Sequence, residues 1–395
     1  MGHSNLGKKP SNLEKRWATI NMLLTMVAFI AVVLALSLTY LKETPSNLTH
    51  CLGYYTLYLI FTAFLAVLPF GGPKVPRDTN RQDYDVLTGG LTLISCLLVL
   101  FTLEIFGVKV IDFVTKNMFD LTIAALLSGL FLTIYVHLRS YTLPNDRLNP
   151  KIIGKNAIES LFLGREVRPR LLGILDLKIY FNRIAILTMV LLDCVFLHEN
   201  FNNKSVVVLS IIKFIYFIDG LFMEYTYETS MEVRQVGFGF GCGVGNFVYP
   251  FLMSIFTKHL VSNKIEFENW RLILTLFVFT TGYLIYRISN NQKYNFRKNP
   301  STTGFKSIPT GIKDKKLLCS GLWGIIRHPN YLGDILVHWS FTGFMLCIPA
   351  FMIYFDILFM IDRSSRDNKN CKEKYGKVWD QYCKMVKYIL VPWIY

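Results

Sequence analysis

Charge is scarce in this chain: only 17% of its 395 residues are Asp, Glu, Lys or Arg. A soluble protein of that length needs more charge to cover its surface. Two or three soluble domains, which length alone suggests, are therefore excluded. Disorder is excluded too, because 52% of residues are hydrophobic, with 31 Phe and 21 Tyr. The eight Cys form no Cys-x-x-Cys pair and several lie in apolar runs, which argues against a disulfide framework or a zinc site. There is no His-Glu-x-x-His, no internal repeat and no Arg/Ser-rich tract. Acidic residues are the scarcer sign: 42 Lys and Arg against 27 Asp and Glu leave a net charge of +15. In a soluble protein that excess points to nucleic acid. In a membrane protein it marks basic loops kept in the cytoplasm, so no nucleic-acid partner is expected.

What the chain has in abundance is apolar length. About 20 apolar residues cross a bilayer as a helix. Such runs cover roughly 18–40, 53–71, 87–107, 120–138, 177–197, 205–224, 236–257 and 271–288. A further block at 335–361 is broken near Cys347-Ile348-Pro349 and predicts a hairpin of two short helices. The fold class is all-α: a polytopic membrane protein with about ten transmembrane helices, the last two forming that hairpin. The run after Arg16 is too long for a signal peptide and reads as a first span. Lys and Arg crowd the stretch 1–16, the segments 139–170 and 287–327, and the tail after 362. The intervening loops hold few, which predicts both termini in the cytoplasm. Residues 1–16 form a short basic tail, and 17–395 a single membrane domain.

Polar side chains inside spans are costly and point to function. In 205–224, Lys213, Tyr216, Asp219 and Glu224 interrupt an apolar helix. A tyrosine beside a carboxylate suits proton relay. An interhelical clamp, with Lys213 satisfying an acid elsewhere, is the plainer reading. Glycines at 237, 239, 241, 243 and 245 suggest a nucleotide loop, but the Gly-x-Gly-x-x-Gly register fails at Cys242, Val244 and Asn246. Their Gly-x-x-x-Gly spacings suit close helix packing instead. Lys293 and Arg297 share a helical face at the cytoplasmic rim, where a cation pair can hold a phosphate or simply anchor the helix. Residues 321–334 then crowd Arg327, His328, Asn330, Tyr331 and Asp334 beside the membrane. Arg363, Arg366, Asp367, Cys371, Lys374, Tyr375, Trp379 and Tyr382 recur at helical spacing, a mix of aromatics and cations that suits a nucleotide.

The motifs GLWGIIRHPNYLGD at 321–334, DRSSRDNKNCKEKYGKVWDQYC at 362–383, the terminal VPWIY and NNQKYNFRKNP at 290–300 resemble the sterol reductase family. That family includes sterol C14-reductases, 7-dehydrocholesterol reductase and the membrane domain of the lamin B receptor, and the C14-reductase and lamin B receptor branch is the nearest. GREVRPR at 164–170, Asp176-Leu177-Lys178 and Leu68-Pro69 are weaker matches. The resemblance implies reduction of a sterol carbon–carbon double bond, foremost at C14, by NADPH. Carried over by motif, Lys293, Arg297, Leu318, Trp323, Asn330, Tyr331, Asp367, Cys371, Lys374, Tyr375 and Tyr382 would surround NADPH on the cytoplasmic side, within roughly 290–395. Tyr216 and Asp334 would deliver the proton, oriented by Arg327 and His328, with sterol entering from the bilayer. The implied location is the endoplasmic reticulum membrane or the inner nuclear membrane. The chain departs from the family pattern at Glu159-Ser160, Arg168, Asn182-Arg183-Ile184, Glu232, Val236 and Asn246. These departures frame the alternative: a lamin-B-receptor-like membrane protein that keeps the cofactor and has lost sterol chemistry. An isoprenylcysteine methyltransferase-like enzyme shares the Arg-His-Pro element, but GREVRPR has no place there. A transporter is the remaining fallback.

Overall fold

A computed structural model describes residues 12–42, 46–77, 84–299, 304–312 and 315–394. Lys8 and Lys9 of the basic tail, Pro300 and Tyr395 lie outside the described residues. The helices in chain order begin with α1 Asn12–Tyr40, α2 Leu48–Ala66, α3 Gly89–Ile105, α4 Val110–Lys116, α5 Met118–Arg139, α6 Ala157–Leu163 and α7 Leu177–Glu199. They continue with α8 Lys204–Phe222, α9 Glu224–Glu228, α10 Met231–Gln235, α11 Phe240–Ser262, α12 Asn269–Lys298, α13 Pro329–Phe341, α14 Phe351–Tyr375 and α15 Lys377–Met385. Three two-stranded antiparallel ribbons complete the fold: β1 Lys74–Pro76 with β2 Tyr84–Val86, β3 Arg170–Leu171 with β4 Leu175–Asp176, and β5 Ser307–Pro309 with β6 Lys316–Leu318.

The protein is a helical polytopic membrane protein. Among the described residues seven helices are long and apolar enough to cross a bilayer, or eight if α3 and α4, bent by 102°, form one span. They fall on the eight apolar runs, with four differences in extent, one being α11, which runs Phe240–Ser262 against the expected 236–257. The run at 53–71 sits five residues late, because α2 starts at Leu48 and stops at Ala66, just ahead of Leu68-Pro69, where proline disfavours helical geometry in its predecessor. The expected loop 108–119 contains α4. Helix α12 runs ten residues past the expected end at 288. Hydropathy stops at Arg287, but Gln292, Lys293 and Arg297 are good helix formers and carry the backbone on.

The chain forms two compact units, residues 1–191 with 227–252 and residues 192–226 with 253–395. In the first, Phe181 packs edge-on against Phe247 and Phe238 (ring centroids 4.7 and 5.2 Å apart). Gly129 of α5 and Gly243 of α11 let these helices approach until Gly129 meets Val244 and Gly243 meets Thr133. Gly237 and Gly239 instead lie against the backbone of residues 162–164. Gly237, Gly239 and Gly243 therefore serve packing within this unit, whereas Gly241 and Gly245 face open space. GREVRPR is held by ion pairs: Arg168 with Asp176 and with Glu228 (3.1 Å), Arg170 with Asp85, and Arg139 with Glu166. Lys178, fully buried, donates to the main-chain oxygens of Glu232 and Val236 at the end of α10.

In the second unit α12 and α13 make the closest helix pairing. Gly282 and Gly333 face each other there, and a Cβ at Gly333 would collide with the main-chain nitrogen of Tyr286. Lys213 of α8 is buried and donates to Asp193 Oδ1 (2.9 Å) and to Thr257 Oγ1 (2.7 Å). The plainer reading of Lys213, a clamp onto an acid on another helix, describes this geometry. Removing one member of such a pair strands a buried charge at a cost of about 3–5 kcal/mol. Lys213→Ala is therefore expected to lower the melting temperature in detergent strongly, and Lys213→Met combined with Asp193→Leu to recover most of it. Equal melting of wild type and Lys213→Ala would refute the clamp.

Candidate functional site

All thirteen residues expected to bind cofactor or deliver a proton lie in the second unit. Helix α13 organises them. His328 precedes it, Pro329 opens its first turn, where the missing N–H costs nothing, and Asn330, Asp334 and His338 follow at intervals of four on one face.

The two residues expected to deliver the proton meet directly. The Tyr216 hydroxyl of α8 donates to Asp334 Oδ1 of α13. Tyr216 is held by aromatic contacts: it packs edge-on against His338 and Phe341 and tilted against Tyr286 of α12 (ring centroids 5.4–5.9 Å). Asp219, the neighbour of Tyr216 on its own helix, is turned away into an ion pair with Arg287 of α12. The carboxylate beside Tyr216 is thus Asp334, not Asp219. Arg327 does not orient this pair, contrary to expectation. Its guanidinium donates to the main-chain oxygens of Val386 and Lys387 and to Asn368 Oδ1, each at 2.9 Å. It clamps the C-terminal segment, which also pairs through Arg327 N to Tyr388 O and His328 N to Ile389 O.

The residues expected around the cofactor gather at the far end of α12. Trp323 is buried against Phe296 and Leu318, and its indole donates to Ser289 O at 2.8 Å. Lys293 Nζ lies 3.9 Å from the centre of the Trp323 ring. Among the described residues no carboxylate stands within ion-pair distance of Lys293. Tyr382 donates to Trp323 O (3.2 Å) and stacks on Trp379, which continues the stack to Tyr375. Tyr331 donates to Asp367 Oδ2 (2.6 Å) and accepts from Arg363 Nε (3.2 Å). The Cys371 thiol sits among Lys293, Asp367 and Lys374, and burial raises its pKa. Tyr375 lies near Arg297 and Cys371. Lys374 is pulled below the ordinary lysine value by burial and by Lys315 and Arg297. Lysines 293, 315 and 374 and Arg297 thus crowd one small region, an arrangement that favours an anion.

His328 stacks flat on Tyr331 (5.2 Å, 8°). Burial, with the Lys293 charge nearby, pushes its imidazole down to about 4, so it is neutral at physiological pH. Its Nε2 and the Asn330 Oδ1 are buried without a hydrogen-bond partner in the protein. Buried polar atoms are seldom left so, and two orphans beside a cluster of cations fit a polar, phosphate-bearing ligand. Gln292, which accepts from Leu322 N at 3.1 Å, and Ser289 were not singled out from the sequence. Their spacing along α12, on the side of Lys293 and Phe296, was the available signal.

The sequence profile of the ergosterol biosynthesis ERG4/ERG24 family matches residues 8–395. The chain belongs to that family. Among curated relatives of this ERG4/ERG24 member, a delta(14)-sterol reductase of Ascobolus immersus is 32% identical, over 86% of the chain and 83% of the relative. The delta(14)-sterol reductase erg24 of Schizosaccharomyces pombe is 30% identical, over 90% of the chain and 87% of the relative. The delta(14)-sterol reductase LBR of Gallus gallus is also 30% identical, over 86% of the chain but only 56% of the relative. This ERG4/ERG24 chain thus spans little more than half the length of the chicken protein.

Proposed function

We propose that the protein is an NADPH-dependent sterol reductase acting on the C14 double bond, in the endoplasmic reticulum membrane with both termini cytoplasmic. The observation that carries this reading is the Tyr216–Asp334 contact one turn of α13 from Asn330. A turn advances about 5.4 Å, so a proton donor and a cofactor edge fit side by side on one helix face. The names of the Ascobolus and Schizosaccharomyces relatives supply the substrate class and the bond. In this reading α13 and the start of α14 form a short membrane hairpin, which brings the spans to about ten.

An isolated alkene is a poor hydride acceptor until one of its carbons takes a proton. NADPH, when bound, supplies the hydride. Lys293, Arg297 and Lys374 would meet its phosphates, and Trp323, Tyr375 and Tyr382 would present aromatic faces to its rings. His328 and Asn330 would satisfy their orphaned atoms on it, and Tyr331, Asp367, Cys371 and Leu318 would line the same pocket. Tyr216 would hand its proton to the sterol carbon and be reset through Asp334. Phe217 and Phe341 form an apolar surround that keeps water from the pair, and the Tyr286 hydroxyl hydrogen-bonds with Tyr216. Sterol, itself apolar, would enter from the bilayer.

Expression in cells lacking C14-reductase activity tests the reading. The Δ14 sterol is expected to disappear from the sterol profile. Its unchanged accumulation, with the protein present in the membrane, would defeat the proposal. The alternative is a lamin-B-receptor-like protein that binds NADPH without turnover. It draws on Val236 and Asn246 standing where the family pattern has acids, and NADPH binding without reduction would establish it.

A further inference from the structure

Two groups behind Asp334 take no part in the reading above. His338 lies one turn beyond Asp334 on α13, with its Nδ1 2.9 Å from the Asp334 main-chain oxygen and 3.6 Å from Asp334 Oδ1. Its Nε2 lies 3.0 Å from Asp356 Oδ2 of α14. These distances fix where the protons are. A carbonyl oxygen only accepts, so Nδ1 carries a hydrogen. Nε2 and a carboxylate oxygen at hydrogen-bond distance then need one more proton between them, or two lone pairs face each other. That proton sits either on Nε2, giving an imidazolium beside a carboxylate, or on Asp356, giving a neutral pair. In both cases the pair holds one exchangeable proton, one residue away from the Tyr216–Asp334 contact.

We propose that His338 and Asp356 are positioning residues that resupply the proton Asp334 passes on, an inference that rests on the reductase reading. In the step, the His338 Nδ1–H bond breaks as an O–H bond forms on Asp334 Oδ1. The carboxyl first turns towards the ring, since 3.6 Å is beyond hydrogen-bond range. Nε2 keeps or takes the shared proton, Asp356 is left as the carboxylate in both cases, and one proton from the aqueous side returns the pair to its starting charge. Nothing is oxidised or reduced. Asp356 is the outer member of the pair, its side chain 20% exposed against 4% for His338. Among the described residues, Tyr216 of α8 packs on His338, Asp334 of α13 lies beside it, and Tyr286 of α12 and Arg363 of α14 bear on the Tyr216–Asp334 contact that the pair serves.

The test is turnover of a Δ14 sterol by the full chain in nanodiscs, in H2O and D2O and across pH. Asp356→Asn and His338→Gln are expected to lower kcat about 10- to 100-fold, to raise the solvent isotope effect and to displace the pH–rate profile. The NADPH dissociation constant should not change. Wild-type kcat in both variants overturns the proposal. So does a lower kcat with unchanged isotope effect and pH profile, which is what lost packing alone produces. A wild-type chain that reduces no sterol is a separate result: it removes the reductase reading, and the resupply role falls with it.

Discussion

Asp334→Asn is expected to abolish sterol reduction while leaving most NADPH affinity in place. The substitution keeps the shape of the side chain and an oxygen for the Tyr216 hydroxyl, so the α8–α13 contact survives. What it removes is a group able to take up and release a proton. A positioned acid or base contributes about 10²- to 10⁴-fold to rate, and without it Tyr216 cannot be reset. A fall in single-turnover reduction of about 1000-fold is therefore expected on that scale. Paired titration of NADPH into wild type and variant decides the role. If affinity falls in step with rate, Asp334 is a nucleotide ligand and the proton assignment is lost. The orphaned polar atoms lie at His328 and Asn330, whereas Asp334 already holds Tyr216, and this division is why the two effects should separate.

Lys293→Ala combined with Arg297→Ala should do the opposite. A charge-assisted hydrogen bond contributes about 1.5–3 kcal/mol, so the loss of two, about 3 kcal/mol or more, should raise the NADPH dissociation constant about 150-fold or more. At saturating NADPH the turnover should return towards wild type, because neither side chain touches the Tyr216–Asp334 pair. Rising salt should weaken wild-type binding more than binding to the double variant. A dissociation constant unchanged by the substitutions would return both residues to anchoring the helix at the membrane surface.

The spans were legible because hydropathy reports what a bilayer requires. Their ends were less so, since those depend on backbone chemistry that hydropathy ignores: the proline after Leu68, the polar but helix-favouring stretch after Arg287, the bend between α3 and α4. The site divides in the same way. Tyr216, Lys293 and Trp323 stand out as polar or aromatic side chains in unusual places. That Lys213 needs an acid is plain from the sequence, but that the acid is Asp193 depends on how α7 and α8 pack. Asp219 misleads for the same reason: sequence proximity puts it beside Tyr216, and packing gives it to Arg287. His338 and Asp356 hide in apolar runs 18 residues apart. Only the turn between α13 and α14 joins them.

Helix α12 is a ruler as much as a span. Thirty residues at 1.5 Å each make a rod of about 45 Å, some 15 Å longer than the hydrocarbon it crosses. Tyr286 and Arg287, set against Tyr216 and Asp219 of α8, and Lys293 and Arg297, set among the cations, are graduations on that one rod. The rod has phase as well as length. One residue inserted between Arg287 and Lys293 would swing the cations about 100° around the axis, and no loop lies between the two marks to absorb the turn. The interval from 287 to 293 is therefore indivisible, and a chain of this design can change its side chains there far more freely than its count.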